Sequence, residues 1–111
     1  YGQIAAANAM SDIWAMGALP QSALLSLTIP RMSAALQAAT VGEVATAVNA
    51  ELREAGADLV GGHTSIGREL TVGLSLTGLL VRDAIGLSGA REGDAIVLTK
   101  PIGSGVILAA H

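Results

Sequence analysis

The sequence predicts an α+β fold, with two helices packed on a largely antiparallel sheet. Residues 3–17, and a second stretch that reaches Ala55, have helical composition without an internal proline. QSALLSLTI (21–29) and residues 70–81 alternate apolar and polar side chains with the period of a strand. Few helices against several alternating segments argue α+β.

The first helix is Ala-rich and stops at Gly17, a residue suited to the left-handed turn that ends a helix. Asn8, Ser11, Asp12 and Ala15 share one narrow stripe at 100° per residue, while Ala6, Ala9, Met10, Ile13, Trp14 and Met16 cover most of the rest. This pattern predicts a mostly buried helix with one small polar window. After Pro20, Ala23, Leu25, Leu27 and Ile29 fall on one face of a strand and Ser22, Ser26 and Thr28 on the other, and Pro30 closes it. The second helix presents Val41, Val44, Ala45, Val48, Leu52 and Ala55 to the core and ends at Gly56. Its start is open between a Ser33 cap and the capping-box spacing Thr40–Glu43. A short strand, 57–60, runs into GGHTSIG (61–67), and residues 70–81 form a long strand in which Gly73 and Gly78 mark bends or close packing. Arg91 to Asp94 is a turn before a further apolar strand, 95–98, and GSGVILAAH reads as the beginning of a helix.

Bulk composition narrows the function classes. A chain of 111 residues supports one core. Its 51% hydrophobic content and mean hydropathy of +0.58 are high for a water-exposed domain, which fits partial burial in an oligomer. No apolar run approaches the ~18 residues of a membrane span. A net charge of −3 with six scattered Lys and Arg, and one Tyr and one Trp, disfavours nucleic acid as a partner. The absence of cysteine excludes disulfides, thiolate zinc sites and a cysteine nucleophile within these residues. The opening YGQIAAANAM, with no initiator Met or signal peptide, and the uncapped final helix suggest a piece of a longer polypeptide.

Two places draw attention as sites. Asp12 is the lone acid of an otherwise apolar helix, with no cation three or four residues away. Either it sits on a solvated strip, or it offers a carboxylate oxygen to a hard cation such as Mg²⁺, which brings phosphate with it. GGHTSIG puts two glycines at a strand end, where backbone N–H groups can approach phosphate oxygens, or where the chain simply turns. Its spacing is that of neither the P-loop nor the dinucleotide-binding fingerprint. His63 has no nucleophile near it in sequence, and Thr64 and Ser65 either donate to phosphate or close the loop. Lys100, in LTKPIGSG, has the same two readings: phosphate contact or exposed hinge.

IAAANAMSDIWAMGALP, LVGGHTSIG, LTVGLSLTGLL and GDAIVLTKPIGSGVI, in that order, resemble segments of the selenophosphate synthetase (selenide, water dikinase) family, within the aminoimidazole ribonucleotide synthetase-like superfamily. The resemblance covers essentially the whole chain. It implies a cytoplasmic enzyme that converts selenide, ATP and water to selenophosphate, AMP and phosphate with Mg²⁺. It further implies that Asp12 binds Mg²⁺ and nucleotide, and that Gly61, Gly62, His63 and Thr64 form a nucleotide-binding loop. The family's N-terminal domains pair through their sheets into a dimeric β-barrel, so a homodimer is expected. Residues 1–99 would then be the ATP-binding N-terminal domain and 100–111 a hinge and the start of a second domain. The family's glycine-rich segment with its reactive Cys or selenocysteine and Lys would lie upstream of Tyr1, so these residues alone are expected to be inactive. The form GGHTSIGRELTVG also resembles versions fused behind an oxidoreductase-like domain. Two other classes stay in view: a non-catalytic dimerisation module, and a domain of another superfamily enzyme such as thiamine monophosphate kinase.

Overall fold

The computed structural model describes residues 1–110. In chain order the elements are α1 (Gly2–Ala15), β1 (Ala18–Pro30), α2 (Ala34–Glu54), β2 (Asp58–Gly67), β3 (Thr71–Leu80) and α3 (Ser104–Ala109). The three strands form one sheet in the order β2-β1-β3. The α+β class holds, with a mixed sheet: β1 and β3 are antiparallel, as expected, whereas β1 and β2 run parallel. The parallel pair follows from connectivity, because α2 carries the chain back along the sheet before β2 begins, and parallel neighbours need such a crossover.

The helix ends are set by local chemistry. α1 stops at Gly17, whose φ is +73°. α2 ends in a Schellman arrangement, with the Gly56 N–H donating to the Arg53 carbonyl at 3.1 Å and the Ala57 N–H to the Leu52 carbonyl at 2.8 Å. Gly56 takes φ +79° there. The open question at the start of α2 is resolved in favour of Ser33, whose Oγ accepts the Leu36 N–H at 3.3 Å. Thr40 then lies inside the helix, where its hydroxyl turns to the Met32 sulfur.

One face of the sheet and the two long helices enclose the core. Ala6 and Met10 of α1, Val44, Val48 and Leu52 of α2, and Ala23, Leu25, Leu27 and Ile29 of β1 are buried together. Val72, Leu74 and Leu76 of β3 pack at its margin. α1 can lie this close to its neighbours because two glycines make room. A Cβ on Gly2 would stand 2.8 Å from the Val44 carbonyl oxygen, and one on Gly78 would meet the Ile13 Cγ2 at 2.6 Å. Gln3 Nε2 also donates to Glu51 Oε1 at 3.0 Å, tying α1 to α2.

Three expectations are corrected. α1 is not mostly buried: only Gly2, Ala6 and Met10 are, while Ile4, Trp14 and Met16 are exposed. Its mainly apolar surface exceeds what one sheet and one helix can cover. GGHTSIG is not a loop after a short strand; it is the body of β2, paired with β1 as far as Pro30–Gly67. Residues 95–98 make no strand, since no neighbour offers them a ladder among the described residues, and every described residue after Leu80 is exposed. The segment after β3 touches the fold at Ile85, whose N–H donates to the Met16 carbonyl at 3.1 Å.

Candidate functional site

α1 presents Asp12 to solvent. Its charge therefore needs no protein partner, because water solvates an exposed carboxylate. Among its stripe neighbours, Ser11 is occupied locally, its Oγ donating to the Asn8 carbonyl at 2.6 Å. Asn8, one turn before Asp12, lines a groove of about 430 Å³ between α1 and the start of β3, with Tyr1, Ile4, Leu70 and Val72. Among the described residues, no three of His, Cys, Asp and Glu converge as a metal site. Asp12 thus fits a Mg²⁺ ion only as a single carboxylate ligand, a common arrangement when substrate phosphates and water complete the shell.

Gly61 to Thr64 lie on an edge strand. β2 has β1 on one side only, so half of its backbone polar groups face outward, free to meet a ligand or another strand. The glycines also have a packing reason. The register of β1 on β2 slips between Ala23 and Leu24, which pair with Leu59 and Gly61 and leave Val60 as an extra residue. Just beyond the bulge, a Cβ on Gly62 would overlap the Leu25 carbonyl oxygen. Neither Gly61 nor Gly62 has positive φ. Space, rather than backbone freedom, requires glycine at position 62.

Register also fixes where the side chains go. Ser26 pairs with His63 and Leu27 with Thr64, so His63 lies on the outer sheet face and Thr64 on the helix side. A depression of about 380 Å³ wraps the free edge of β2, from Ala45, Leu59 and Thr64 on the helix side to His63. A second, of about 320 Å³, lies on the outer face and is shared by His63, Ser26 and Ser75. These two serines were not singled out in sequence, although the alternation of QSALLSLTI does place Ser26 on the polar face.

Gly61 to Thr64 therefore form one continuous segment, but Asp12 does not join it. No residue of α1 comes within 8 Å, Cα to Cα, of any residue of β2, because α1 packs over β1 and β3 while α2 covers β2. Lys100 is exposed in the turn before α3.

A fold of this architecture, with two long helices over one face of a three-stranded mixed sheet, is that of the AIR synthase related proteins. The model of their N-terminal domain matches residues 1–80, and the chain belongs to this family. Within it, the chain is similar to selenide, water dikinases. It is 47% identical to that of Trichlorobacter lovleyi over 96% of its own length, and 45% identical to that of Caldanaerobacter subterraneus, again over 96%. It spans only 31% and 30% of those relatives. Among solved structures it resembles ThiL in complex with AMPPCP and TMP, at TM-score 0.72 and 29% identity over 81% of this chain and 28% of that one. The hydrogenase maturation protein HypE in complex with ATP shares the fold at TM-score 0.66 and 19% identity, over 77% of this chain and 26% of that one.

Proposed function

We propose that this chain carries part of the Mg·ATP site and the dimer interface of a selenophosphate synthetase, which makes selenophosphate, AMP and phosphate from selenide, ATP and water. The observation that carries this reading is the 47% identity to a selenide, water dikinase across 96% of the chain. The kinship with ThiL bound to AMPPCP supports a triphosphate ligand.

In this reading Asp12 gives one oxygen to Mg²⁺, and the edge of β2 at Gly61, Gly62, His63 and Thr64 meets the nucleotide through backbone and side-chain donors. Bound Mg²⁺ would neutralise the phosphate oxygens on which charge develops during phosphoryl transfer. The chain's own contribution is to position the nucleotide, with no side chain placed as a general base. Because α1 and β2 do not meet within one copy, the two groups would address the nucleotide from different sides, as an assembled homodimer with ATP near its interface allows.

The homodimer reading draws on the outer sheet face. Leu19, Leu24 and Leu79 are 57%, 51% and 55% exposed there, an unusual set of leucines for a face left in water. Residues 1–99 would form the nucleotide-binding unit and 100–111 a hinge leading to a further domain; His111 lies outside the described residues. No described helix is long and apolar enough to cross a membrane, and the enzyme would work in the cytoplasm.

The same exposed leucines favour a second reading, a dimerisation module without catalysis. The likeness to ThiL keeps open a third, in which the fold is the same and the phosphoryl acceptor differs. Incubation of the chain with Mg·ATP and selenide, read as AMP by chromatography, tests the division of labour. Binding without AMP formation is expected, and turnover by these residues alone would contradict it.

A further inference from the structure

After Leu80 the chain comes back to the body of the fold at the end of α1. The last turn of that helix is closed by short-range bonds, with the Met16 N–H donating to the Ile13 carbonyl at 3.2 Å and the Gly17 N–H to the Trp14 carbonyl at 2.9 Å. The Met16 carbonyl lies beyond this ladder and accepts the Ile85 N–H at 3.1 Å. Gly17 leaves a notch beside it: Ile85 Cδ1 stands 3.2 Å, and Arg82 Nε 3.8 Å, from the point that a Cβ on Gly17 would occupy. Residues 81–85 therefore form a strap across the end of the helix that carries Asp12.

The hold is weak. Ile85 is 53% exposed, so one half-covered aliphatic side chain and one backbone hydrogen bond oppose the ordering entropy of residues 81–84. A ligand that favours the docked form can shift such a balance. Arg82 is the group through which it would act. The carbonyls of a helix end attract a cation, which accounts for Arg82 folding back toward α1. Its guanidinium nevertheless donates to no described residue, Asp12 and Asp83 included.

We propose that Arg82 is a phosphate-binding residue of the Mg·ATP site, delivered there when the strap docks on α1. The proposal rests on the reading of Asp12 as the Mg²⁺ ligand. Asp12 and Met16 stand one turn apart on one side of α1, about 6 Å along the axis, so the docked strap sets a guanidinium at the Asp12 end of the helix without occupying the carboxylate. Phosphate oxygens not taken by the metal accept from a planar guanidinium, two N–H groups at a time. Ile85 is a positioning residue, which acts by holding the strap that carries Arg82.

The test is calorimetric titration of Mg·ATP into wild type, Arg82→Ala, Ile85→Ala and Arg91→Ala, joined to amide hydrogen exchange at Ile85. All three side chains are exposed, so the variants should keep the fold, which circular dichroism verifies. Arg82→Ala should bind about tenfold more weakly, as loss of a hydrogen bond to a charged group does. Ile85→Ala keeps the guanidinium but loosens the strap, and should weaken binding by a smaller factor. Arg91→Ala removes the same charge from a turn in which Asp94 accepts the backbone N–H of residue 91, and should bind as wild type does. Mg·ATP should slow exchange of the Ile85 amide in wild type and not in Arg82→Ala. Unchanged affinity of Arg82→Ala, an equal loss in Arg91→Ala, or unchanged Ile85 exchange in nucleotide-bound wild type overturns the proposal. Asp12-dependent binding by wild type that Arg82→Ala matches removes Arg82 alone and leaves the nucleotide reading standing. Absence of Mg·ATP binding by wild type sinks that reading and the role of the strap with it.

Discussion

Replacing Gly62 with alanine tests the bulged junction that positions His63. The added methyl carbon would overlap the Leu25 carbonyl oxygen, a backbone atom that cannot rotate away. Relief requires β2 to move off β1 by about 1 Å, a shift that overpacks or breaks the ladder. Overpacking costs about 1–3 kcal/mol and each weakened ladder hydrogen bond about 0.5–1.5 kcal/mol. We expect a net destabilisation of about 2–3 kcal/mol, a fall in Tm on the order of 10 °C for a domain of this size. Gly42→Ala is the matched control. Gly42 lies inside α2 with open space around it, so the same methyl should stabilise the helix by about 0.5–1 kcal/mol. Both changes are read by thermal and urea unfolding followed by circular dichroism. Equal stability of Gly62→Ala and wild type would refute the close approach of the two strands, and with it the geometric reason for glycine here.

Two further outcomes follow from packing. Leu52→Ala empties a position with 0% exposure between α2 and the sheet and should cost about 2–5 kcal/mol in urea unfolding, whereas a change below 1 kcal/mol would mean the site collapses freely. If the proposed dimer forms through the outer face, Leu24→Glu places a charge there without touching the core, so it should leave the fold intact and shift sedimentation toward monomer relative to wild type; a wild type that sediments as a monomer, or a variant that stays dimeric, would contradict that interface.

Much of the fold was legible because local chemistry and burial agree. Gly17 and Gly56 ended helices where expected, the alternation of β1 matched its buried face, and that of β3 placed Val72, Leu74 and Leu76 half-buried against the core. The strand character of Gly61–Gly67 was not legible, because Gly, Thr and Ser carry no apolar alternation and their pairing partner is supplied by β1. Parallel pairing was likewise invisible, since it depends on the path of α2. The apolar circumference of α1 spoke for burial that this chain does not itself provide, and residues 95–98 have strand composition without a described neighbour to pair with. For the site, the sequence marked Asp12 and Gly61–Thr64 individually. Their separation across the sheet, and the opposite facing of His63 and Thr64, came only from topology and register.

The central claim is that Asp12 and the β2 edge belong to a Mg·ATP site. Calorimetric titration of ATP into wild type and Asp12→Ala, each with and without Mg²⁺, tests it most directly. Asp12 is exposed, so the variant should fold as wild type does, which circular dichroism verifies. The account predicts saturable, Mg²⁺-dependent binding to wild type that weakens at least about tenfold in Asp12→Ala, the loss of one charge-assisted ligand. Equal affinity of the two proteins, or no binding to wild type as monomer or dimer, would contradict it.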